Sequence, residues 1–485
     1  MNESSQDDDV DPALSDMFGR SLLYTIVFVA QSVAIVLATP FITRLLTTSQ
    51  YGEIATVSTV MAFVVPITGL GLYLGVQQTY ADYGASSSRT IAGLAATTAA
   101  ILGFVTGITV RFWGPWVGAG SFKRELVLGI ALAAIGAAVA TMTSLLRSEE
   151  RLAAFLAVGM TQAVGSQIAG LAAIVIFGRR VDNYFYGSLA GAALALTFTI
   201  PALRPQFAFR RERRAIASAL RFSLPLVPHA LAIILLNLGD RIVLQRDLGS
   251  TAVARYQIAY SVGSLLLLVI SILNQVWEPQ ILAVSDKKAL PDLLAGISRR
   301  LAELLTLAVI AVALIAPIAL SALAPARYGL GGLLSVTLIT TASCLPYAWY
   351  LSHLRTLLAL RRTEPLVWIA PVAALANVGL NLLLVPRHGL VGSAWATLAS
   401  YALLAGLMGT VARSRLEVAH SRVALLSLDC AAVIGLMVSA VIPQRGPVWL
   451  AVRIDTAAVC VVVAMRLLAV TKGGKTGGLR FGRPS

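Results

Sequence analysis

The residues of this sequence most able to do chemistry are charged and amide side chains placed within long apolar stretches. Asn237, Asp240 and Arg241 lie in one such stretch, residues 222–245, and Arg255 follows soon after it. A charged side chain inside a hydrocarbon layer is unfavourable, so it usually faces a partner or a water-filled space. Asp240 and Arg241 are therefore either a structural ion pair or part of a polar site, where the carboxylate could carry a proton or help to hold sodium.

The apolar stretches that carry these residues recur almost from end to end of the 485-residue chain. Each is close to the roughly 20 residues that a helix needs to cross a bilayer. Hydrophobic residues make up 57% of the chain and charged residues only 13%, which is too little polar surface for a soluble protein of this size. We therefore predict an all-α polytopic membrane protein with 14 transmembrane helices. The predicted spans are residues 21–43, 54–76, 91–110, 125–146, 152–177, 183–203, 222–245, 254–276, 301–325, 331–351, 365–384, 389–412, 423–442 and 447–470.

The basic residues are distributed unevenly between the two sides of the predicted membrane. An even number of spans puts both termini on one side, which carries 24 of the lysines and arginines, whereas the other side carries 11 when Arg255, at the edge of its span, is counted there. Basic residues are retained on the cytoplasmic face. We therefore expect a multi-pass plasma-membrane protein with both termini cytoplasmic. The net charge of +15 is explained by basic residues that fix the cytoplasmic side and that attract anionic lipid headgroups. We therefore expect membrane lipids as partners and no nucleic acid.

Two pairs of similar segments indicate an internal duplication. Residues 44–52 (RLLTTSQYG) align with residues 246–254 (RDLGSTAVA) at an offset of 202, after spans one and seven. Residues 186–190 (YGSLA) align with residues 391–395 (VGSAW) at an offset of 205, at the starts of spans six and twelve. An even number of spans per repeat makes the two halves parallel, and a substrate is then expected between them. The predicted organisation is a cytoplasmic N-terminal tail (1–20), a first six-helix lobe (21–203), a basic cytoplasmic linker (204–221), a second six-helix lobe (222–412), two appended helices (423–470) and a basic cytoplasmic tail (471–485).

The sequence lacks the usual signatures of metal sites and of enzymes. Cys344, Cys430 and Cys460 lie in predicted spans without a CxxC spacing, and the four histidines show no metal-ligand spacing. No Walker A pattern occurs. The external loops reach only about 14 residues, at 111–124, and that loop has no acidic residue, unlike the long acidic loops of membrane glycosyltransferases. We expect no cofactor and no enzymatic activity.

Charged and amide residues also occur in the late spans. Asn377 and Asn381, one turn apart in span eleven, are interpreted as interhelical hydrogen-bonding residues. Asp429, Arg453 and Asp455 put charge into the appended helices. For these we expect a buried pair between spans thirteen and fourteen.

Several short motifs occur in the order found in one known family. Residues 237–244 (NLGDRIVL) and 254–260 (ARYQIAY) resemble the stretch from the seventh to the eighth helix of bacterial polysaccharide flippases. Residues 384–394 (LVPRHGLVGSA) are similar to the turn between their helices eleven and twelve, and residues 43–52 (TRLLTTSQYG) to their first loop. The resemblance covers about residues 18 to 470, with Ala254 standing where the family often has glycine. The same superfamily includes the multidrug and toxin extrusion exporters.

The resemblance implies that the chain flips a polyprenyl-(pyro)phosphate-linked oligosaccharide across the plasma membrane by alternating access, for cell-surface polysaccharide biosynthesis. Such a task needs a hydrated cavity with arginines for the phosphates, because the planar guanidinium pairs bidentately with phosphate oxygens. Implied partners are the lipid-linked glycan, membrane lipids, and glycan polymerases or glycosyltransferases; coupling to H⁺ or Na⁺ is left unassigned. The candidate substrate-binding residues are Gln31, Arg44, Asn237, Asp240, Arg241, Arg255 and Asn274.

Two other functions compete with this interpretation. An ion-coupled multidrug exporter of the same superfamily would usually have twelve spans and a less cationic cavity. A membrane glycan polymerase or glycosyltransferase would be an enzyme, and it typically carries a long external loop with acidic residues. The additional pair of spans and the arginines favour the lipid-linked glycan.

Overall fold

The computed structural model describes residues 33–120, 122–271, 290–360, 364–413, 422–444 and 446–473. Within these ranges the chain is helical and forms no strand, so the prediction of an all-α membrane protein is confirmed. Nine helices there are long and apolar enough to cross a membrane, or ten when a bent pair is taken as one span. This number is below fourteen partly because Thr48–Val117 and Leu366–Arg413 each hold two of the predicted spans.

The helices are numbered α1 to α17 in chain order. They are α1 (Val33–Leu45), α2 (Thr48–Gly69), α3 (Leu72–Trp113), α4 (Lys123–Ser148), α5 (Leu152–Met160), α6 (Ser166–Phe177), α7 (Val181–Leu203), α8 (Arg213–Ser223), α9 (Leu226–Leu248), α10 (Ser250–Gly263), α11 (Leu265–Ser271), α12 (Leu290–Leu323), α13 (Leu334–Ala342), α14 (Cys344–Ala359), α15 (Leu366–Arg413), α16 (Arg422–Val441) and α17 (Pro447–Gly473). A π-helical turn, Thr161–Gly165, joins α5 to α6 in one continuous span. The bent pair is α10 and α11, which meet at 48°.

The 48-residue helix α15 is a hairpin of two spans. Gly389 has φ 57° and ψ −135°, a conformation that glycine adopts without the steric penalty of a side chain. Ser393 Oγ donates to Asn381 Oδ1 at 2.8 Å, although the two residues are 12 positions apart. Along a straight helix that separation is about 18 Å. The chain therefore folds back near Gly389, at the predicted boundary between spans eleven and twelve.

The predicted second span, residues 54–76, is broken in the structure. It ends as α2 at Gly69, and the chain restarts as α3 after Leu70 (φ 50°) and Gly71 (φ 66°). Gly71 allows the close approach of α8, because a Cβ there would lie 2.9 Å from the Ser223 carbonyl oxygen. The predicted basic linker is thus partly helical, and it packs on α3.

The chain forms two compact units, each with its own core. The first contains the described residues up to Leu46, with Val60–Gly114 and Gly120–Pro228. The second contains Thr47–Thr59, Pro115–Ala119 and the described residues from His229 onward. In the first unit apolar side chains of α3, α4, α7 and α8 pack together, and in the second those of α9, α14 and α15.

The appended helices α16 and α17 pack on α12 within the second unit. Arg453 of α17 is 1% exposed and donates to the carbonyl oxygens of Ser439 (2.8 Å) and Ile442 (2.7 Å), at the end of α16, and to that of Leu314 (3.1 Å) on α12. The last carbonyls of a helix have no partner within it, and a cation there is also favoured by the helix dipole. Arg453 therefore caps α16.

The expectation of a buried pair between spans thirteen and fourteen is wrong. Asp429 accepts a hydrogen bond from Trp349 Nε1 of α14 at 2.8 Å, and Asp455 is exposed. Arg453 is instead satisfied by backbone carbonyls, so it needs no carboxylate. Asp429 and Arg453 thus attach the appended helices to α14 and α12 of the second unit, whereas Asp455 is exposed.

Candidate functional site

A buried polar cluster in the second unit contains three of the residues singled out from the sequence. Asn237, Asp240, Arg241 and Gln245 occupy positions i, i+3, i+4 and i+8 of α9, which is the spacing of one helix face. Three of the four are buried, and Asn237 is half-buried. The rest of α9 is mainly apolar, so this face is the one that meets polar side chains from other helices.

Asp240 and Arg241 form a direct ion pair. Arg241 Nη1 lies 2.6 Å from Asp240 Oδ1, and the side chains are 1% and 2% exposed respectively. The same Nη1 also donates to the Asn237 carbonyl at 2.9 Å, one turn back along α9. The side chains leave the helix about 100° apart, but the long arginine turns back along the helix and reaches its neighbour.

Helix α10 completes the environment of this ion pair. Tyr256 Oη donates to Asp240 Oδ2 at 2.6 Å, so both carboxylate oxygens are occupied. Arg241 Nε donates to Gln257 Oε1 at 3.1 Å, and the guanidinium lies 4.0 Å from the centre of the Tyr260 ring. A cation above an aromatic face is stabilised by the ring's negative face. The pair is charge-balanced, hydrogen-bonded and enclosed by aromatic rings.

Amides and hydroxyls link α9 to the second arm of α15 and, separately, join the two arms of α15 to each other. Tyr401 Oη donates to Asn237 Oδ1 at 2.6 Å. Asn381 donates through Nδ2 to Asn377 Oδ1 at 3.1 Å, and its Oδ1 accepts from the Ser393 hydroxyl. Asn377 and Asn381 are fully buried, and the Asn377 amide nitrogen has no hydrogen-bond partner among the described residues. Asn381 therefore joins the two arms of the hairpin, as expected of an interhelical hydrogen-bonding residue. For Asn377 that expectation is wrong, because its side-chain hydrogen bond among the described residues is to Asn381 of its own arm.

Arg255 lies near the start of α10, and its hydrogen bond is to a turn outside the buried cluster. Its Nε donates to the Tyr328 carbonyl oxygen at 3.0 Å, and a Cβ on Gly329 would lie 3.1 Å from its Nη2. Gly329 has φ 66°, which favours glycine, so this turn can accommodate the guanidinium closely. Arg255 is half-buried, and its two terminal nitrogens make no hydrogen bond within the described part of the chain.

Gln245 attaches two distant segments to the second unit. It accepts from Thr56 Oγ1 at 3.0 Å and donates through Nε2 to the Gly118 carbonyl at 3.1 Å. Nearby, Gly52 packs so tightly that a Cβ would lie 1.7 Å from the Ser250 carbonyl oxygen. Gly52 and Ser250 belong to the two segments that the internal alignment pairs, so these segments are in contact within this unit.

The remaining predicted site residues lie apart from the cluster or outside the described residues. Arg44 belongs to the first unit, is exposed, and donates through Nη1 to the Pro40 carbonyl at 2.9 Å. Gln31 and Asn274 lie outside the residues that the structure describes. Sequence reasoning did not single out Tyr256, Gln257, Tyr260, Ser393 or Tyr401 as members of the cluster. The sequence did contain one signal for them: Tyr256 and Tyr260 lie four residues apart within residues 254–260, which resemble the flippases.

Comparison with known proteins places this arrangement in a family. A model of the family described as "Polysaccharide biosynthesis protein" matches residues 19–284. No curated protein gives a match. A solved lipid II flippase, MurJ, in an inward closed conformation is 12% identical with a TM-score of 0.71, covering 93% of this chain and 99% of that chain.

Transporters of the multidrug resistance MATE family, in the MOP superfamily, share the fold more distantly. An inward-facing structure is 15% identical with a TM-score of 0.65, covering 82% of this chain and 96% of its own. A Vibrio cholerae MATE transporter in a bent form is 13% identical with a TM-score of 0.51, covering 86% and 97%. These likenesses establish the fold, and the family model spans more than half of the chain. The protein is a multi-pass membrane protein that belongs to the polysaccharide biosynthesis protein family.

Proposed function

We propose that this protein flips a polyprenyl-(pyro)phosphate-linked oligosaccharide across the plasma membrane by alternating access. The observation that carries the proposal is the family match, since that family is described by polysaccharide biosynthesis. The extent of the structural likeness supports it: the lipid II flippase covers 93% of the chain, whereas the inward-facing MATE transporter covers 82%. A drug exporter of twelve spans would not require α16 and α17, which are joined to α12 by Arg453.

We propose Arg255 in the second unit and, separately, Arg44 in the first unit as phosphate ligands. Each hydroxyl of a sugar that loses water without a new hydrogen bond costs several kcal/mol, and a pyrophosphate costs more, so the substrate needs strong polar partners. Arg255 is fixed through Nε by the Tyr328 carbonyl, while its terminal nitrogens remain available for two parallel bonds to phosphate oxygens. Arg44 is exposed and presents a second guanidinium on the first unit.

The residues of the buried cluster are proposed to act as positioning residues. The Arg241 guanidinium already has Asp240, Gln257 and the Asn237 carbonyl as partners, and its side chain is 1% exposed. A phosphate would have to displace these bonds and enter between tyrosine rings. Asn237, Asp240 and Arg241 therefore hold α9, α10 and α15 in register, and direct contact with substrate is the alternative that the experiments below separate.

Complementation of a flippase-deficient strain tests the proposed function. Wild-type protein should restore surface glycan, and Arg255→Gln should reduce it at normal membrane abundance. Arg255→Lys should also impair export, because an ammonium keeps the charge but loses the bidentate geometry. Arg387→Gln is the matched control, since Arg387 is an exposed arginine of the hairpin turn.

The ion-coupled multidrug exporter gives the opposite pattern in the same strains. It predicts resistance to cationic drugs when the protein is produced and no restoration of surface glycan. Restored glycan with unchanged drug sensitivity supports the flippase. Glycan export at wild-type level by Arg255→Gln would remove Arg255 from the proposed phosphate site without affecting the family assignment.

A further inference from the structure

A cavity of about 660 Å³ lies within the first unit, between α3, α4 and α7. Most of its wall is alanine and aliphatic side chain, and Arg204 is the one charged side chain among the described residues that line it. Ala100, Ile200 and Phe207 line it and are exposed, so the cavity is open on one side. Its volume falls within the roughly 300–1,000 Å³ range of small-ligand pockets.

Small residues of α3 and α4 pack closely at one point and leave the cavity beside it. A Cβ on Gly103 of α3 would lie 2.6 Å from the Cβ of Ala134 on α4. Ala96, Ala99 and Ala138 then leave space where larger side chains would meet. The wall offers almost no hydrogen-bonding group, so a dry hydrocarbon chain suits it better than water or a sugar.

The mouth of the cavity is held in a defined conformation. Helix α7 ends where Arg204 adopts φ 49° and ψ 64° and donates its backbone N–H to the Ile200 carbonyl at 2.8 Å. Two residues later, Gln206 N–H donates to the Arg89 carbonyl of α3 at 3.0 Å. Gly93 permits this contact, because a Cβ there would lie 2.1 Å from the Gln206 carbonyl oxygen.

Among the described residues, the guanidinium of Arg204 differs from those of Arg89 and Arg151 in having no acidic partner. Arg89 and Arg151 both pair with Glu149, at 3.2 Å and 3.5 Å. Arg204 is exposed, and within the described ranges no carboxylate forms an ion pair with it. An apolar cavity therefore ends at a positive charge that no described carboxylate pairs with.

We propose that this cavity is a binding site for one acyl chain of an anionic membrane phospholipid, whose phosphate pairs with Arg204. The charge asymmetry of the sequence assigns this end of α7 to the cytoplasmic face, where anionic headgroups attract basic residues. The apolar wall favours the acyl chain of the lipid, and Arg204 favours an anionic headgroup. The lipid is a resident ligand of the first unit and is distinct from the transported substrate, so the inference goes beyond the proposed function.

Native mass spectrometry of the full-length protein, titrated with phosphatidylglycerol or phosphatidylcholine, tests the proposal. Wild-type protein should retain phosphatidylglycerol more tightly. Arg204→Gln should lower that preference by roughly fivefold, the effect of one basic residue near an anionic surface. Ala100→Phe should reduce binding of both lipids by filling the open side of the cavity. The controls are Arg210→Gln, an exposed linker arginine outside the lining, and Ile101→Phe, the neighbouring exposed position on α3.

Three outcomes would overturn the proposal. The first is Arg204→Gln with the same lipid preference as Arg210→Gln, and the second is Ala100→Phe with the same lipid retention as Ile101→Phe. The third is displacement of phosphatidylglycerol by an equimolar amount of undecaprenyl phosphate, which would make the cavity a substrate site. Surface-glycan export by each variant is measured separately, so failure of the lipid site and failure of the flippase function remain distinguishable.

Discussion

The ion pair between Asp240 and Arg241 gives the sharpest test of the second unit. Arg241→Ala would leave Asp240 buried, with Tyr256 as its remaining partner on Oδ2. Removing one member of a buried ion pair costs about 3–5 kcal/mol, because the other charge is left uncompensated. The bond to Gln257 and the contact with Tyr260 are also lost. We therefore expect a large drop in the free energy of unfolding.

The double change Asp240→Asn/Arg241→Gln should recover most of this loss. It removes both charges while keeping groups that can donate and accept hydrogen bonds, so we expect stability within about 2 kcal/mol of wild type. The two single changes should then be non-additive by on the order of 2 kcal/mol or more. Arg246→Ala is the control on the same helix, because its pair with Asp247 is exposed and contributes about 0–1 kcal/mol.

The measurements are SDS-induced unfolding of the purified protein, membrane abundance, and export in the flippase-deficient strain. If the arginine is a positioning residue, export should follow abundance in every variant. Arg241→Ala that accumulates and unfolds like wild type but exports no glycan would refute this reasoning and return Arg241 to the substrate site. Stability and export both unchanged would show that the ion pair contributes to neither.

Three further predictions concern topology and packing. Reporter fusions at residues 212 and 485 should be active only with a cytoplasmic reporter, and a periplasmic signal at either would contradict the charge asymmetry. Gly52→Ala should lower thermal stability in detergent by at least about 1–3 kcal/mol, because its Cβ would overlap the Ser250 carbonyl, whereas Gly406→Ala, with nothing within 4 Å, should not. Arg453→Leu should destabilise the attachment of α16 and α17 by about 1–3 kcal/mol for each carbonyl left unpaired, seen as faster protease cleavage after residue 413; cleavage at the wild-type rate would contradict the capping role.

Hydropathy predicted the helical class because each span must be apolar over its whole length, and that signal is local in the sequence. The turn between spans eleven and twelve was also predicted, since residues 385–388 separate two apolar stretches and residues 384–394 resemble the corresponding turn of the flippases. The break at Leu70 and Gly71 was not, because the apolar run continues across it. The contact of Gly71 with Ser223 that accompanies this break comes from a residue more than 150 positions away.

The site was predictable only where a residue type was rare in its surroundings. Asp240 and Arg241 are conspicuous because charge is unusual within a span, whereas Tyr256 and Tyr260 look like ordinary aromatic residues of a helix. The partners of the charged residues in α16 and α17 could not be predicted. The hydrogen bond from Trp349 to Asp429, for example, joins residues 80 positions apart. Spacing along one helix contains no information about which other helix will face it.

The attachment of residues 47–59 to the second unit also constrains how the protein is made. Thr56 binds Gln245, which the ribosome adds 189 residues later. At the usual synthesis rate of about 5–20 residues per second, this early segment waits roughly 10–40 seconds for its partner. During that interval the polar contacts that Gln245 supplies to Thr56 and to the Gly118 carbonyl are missing. Folding of the second unit therefore needs the nascent chain to keep two early segments available until α9 has entered the membrane.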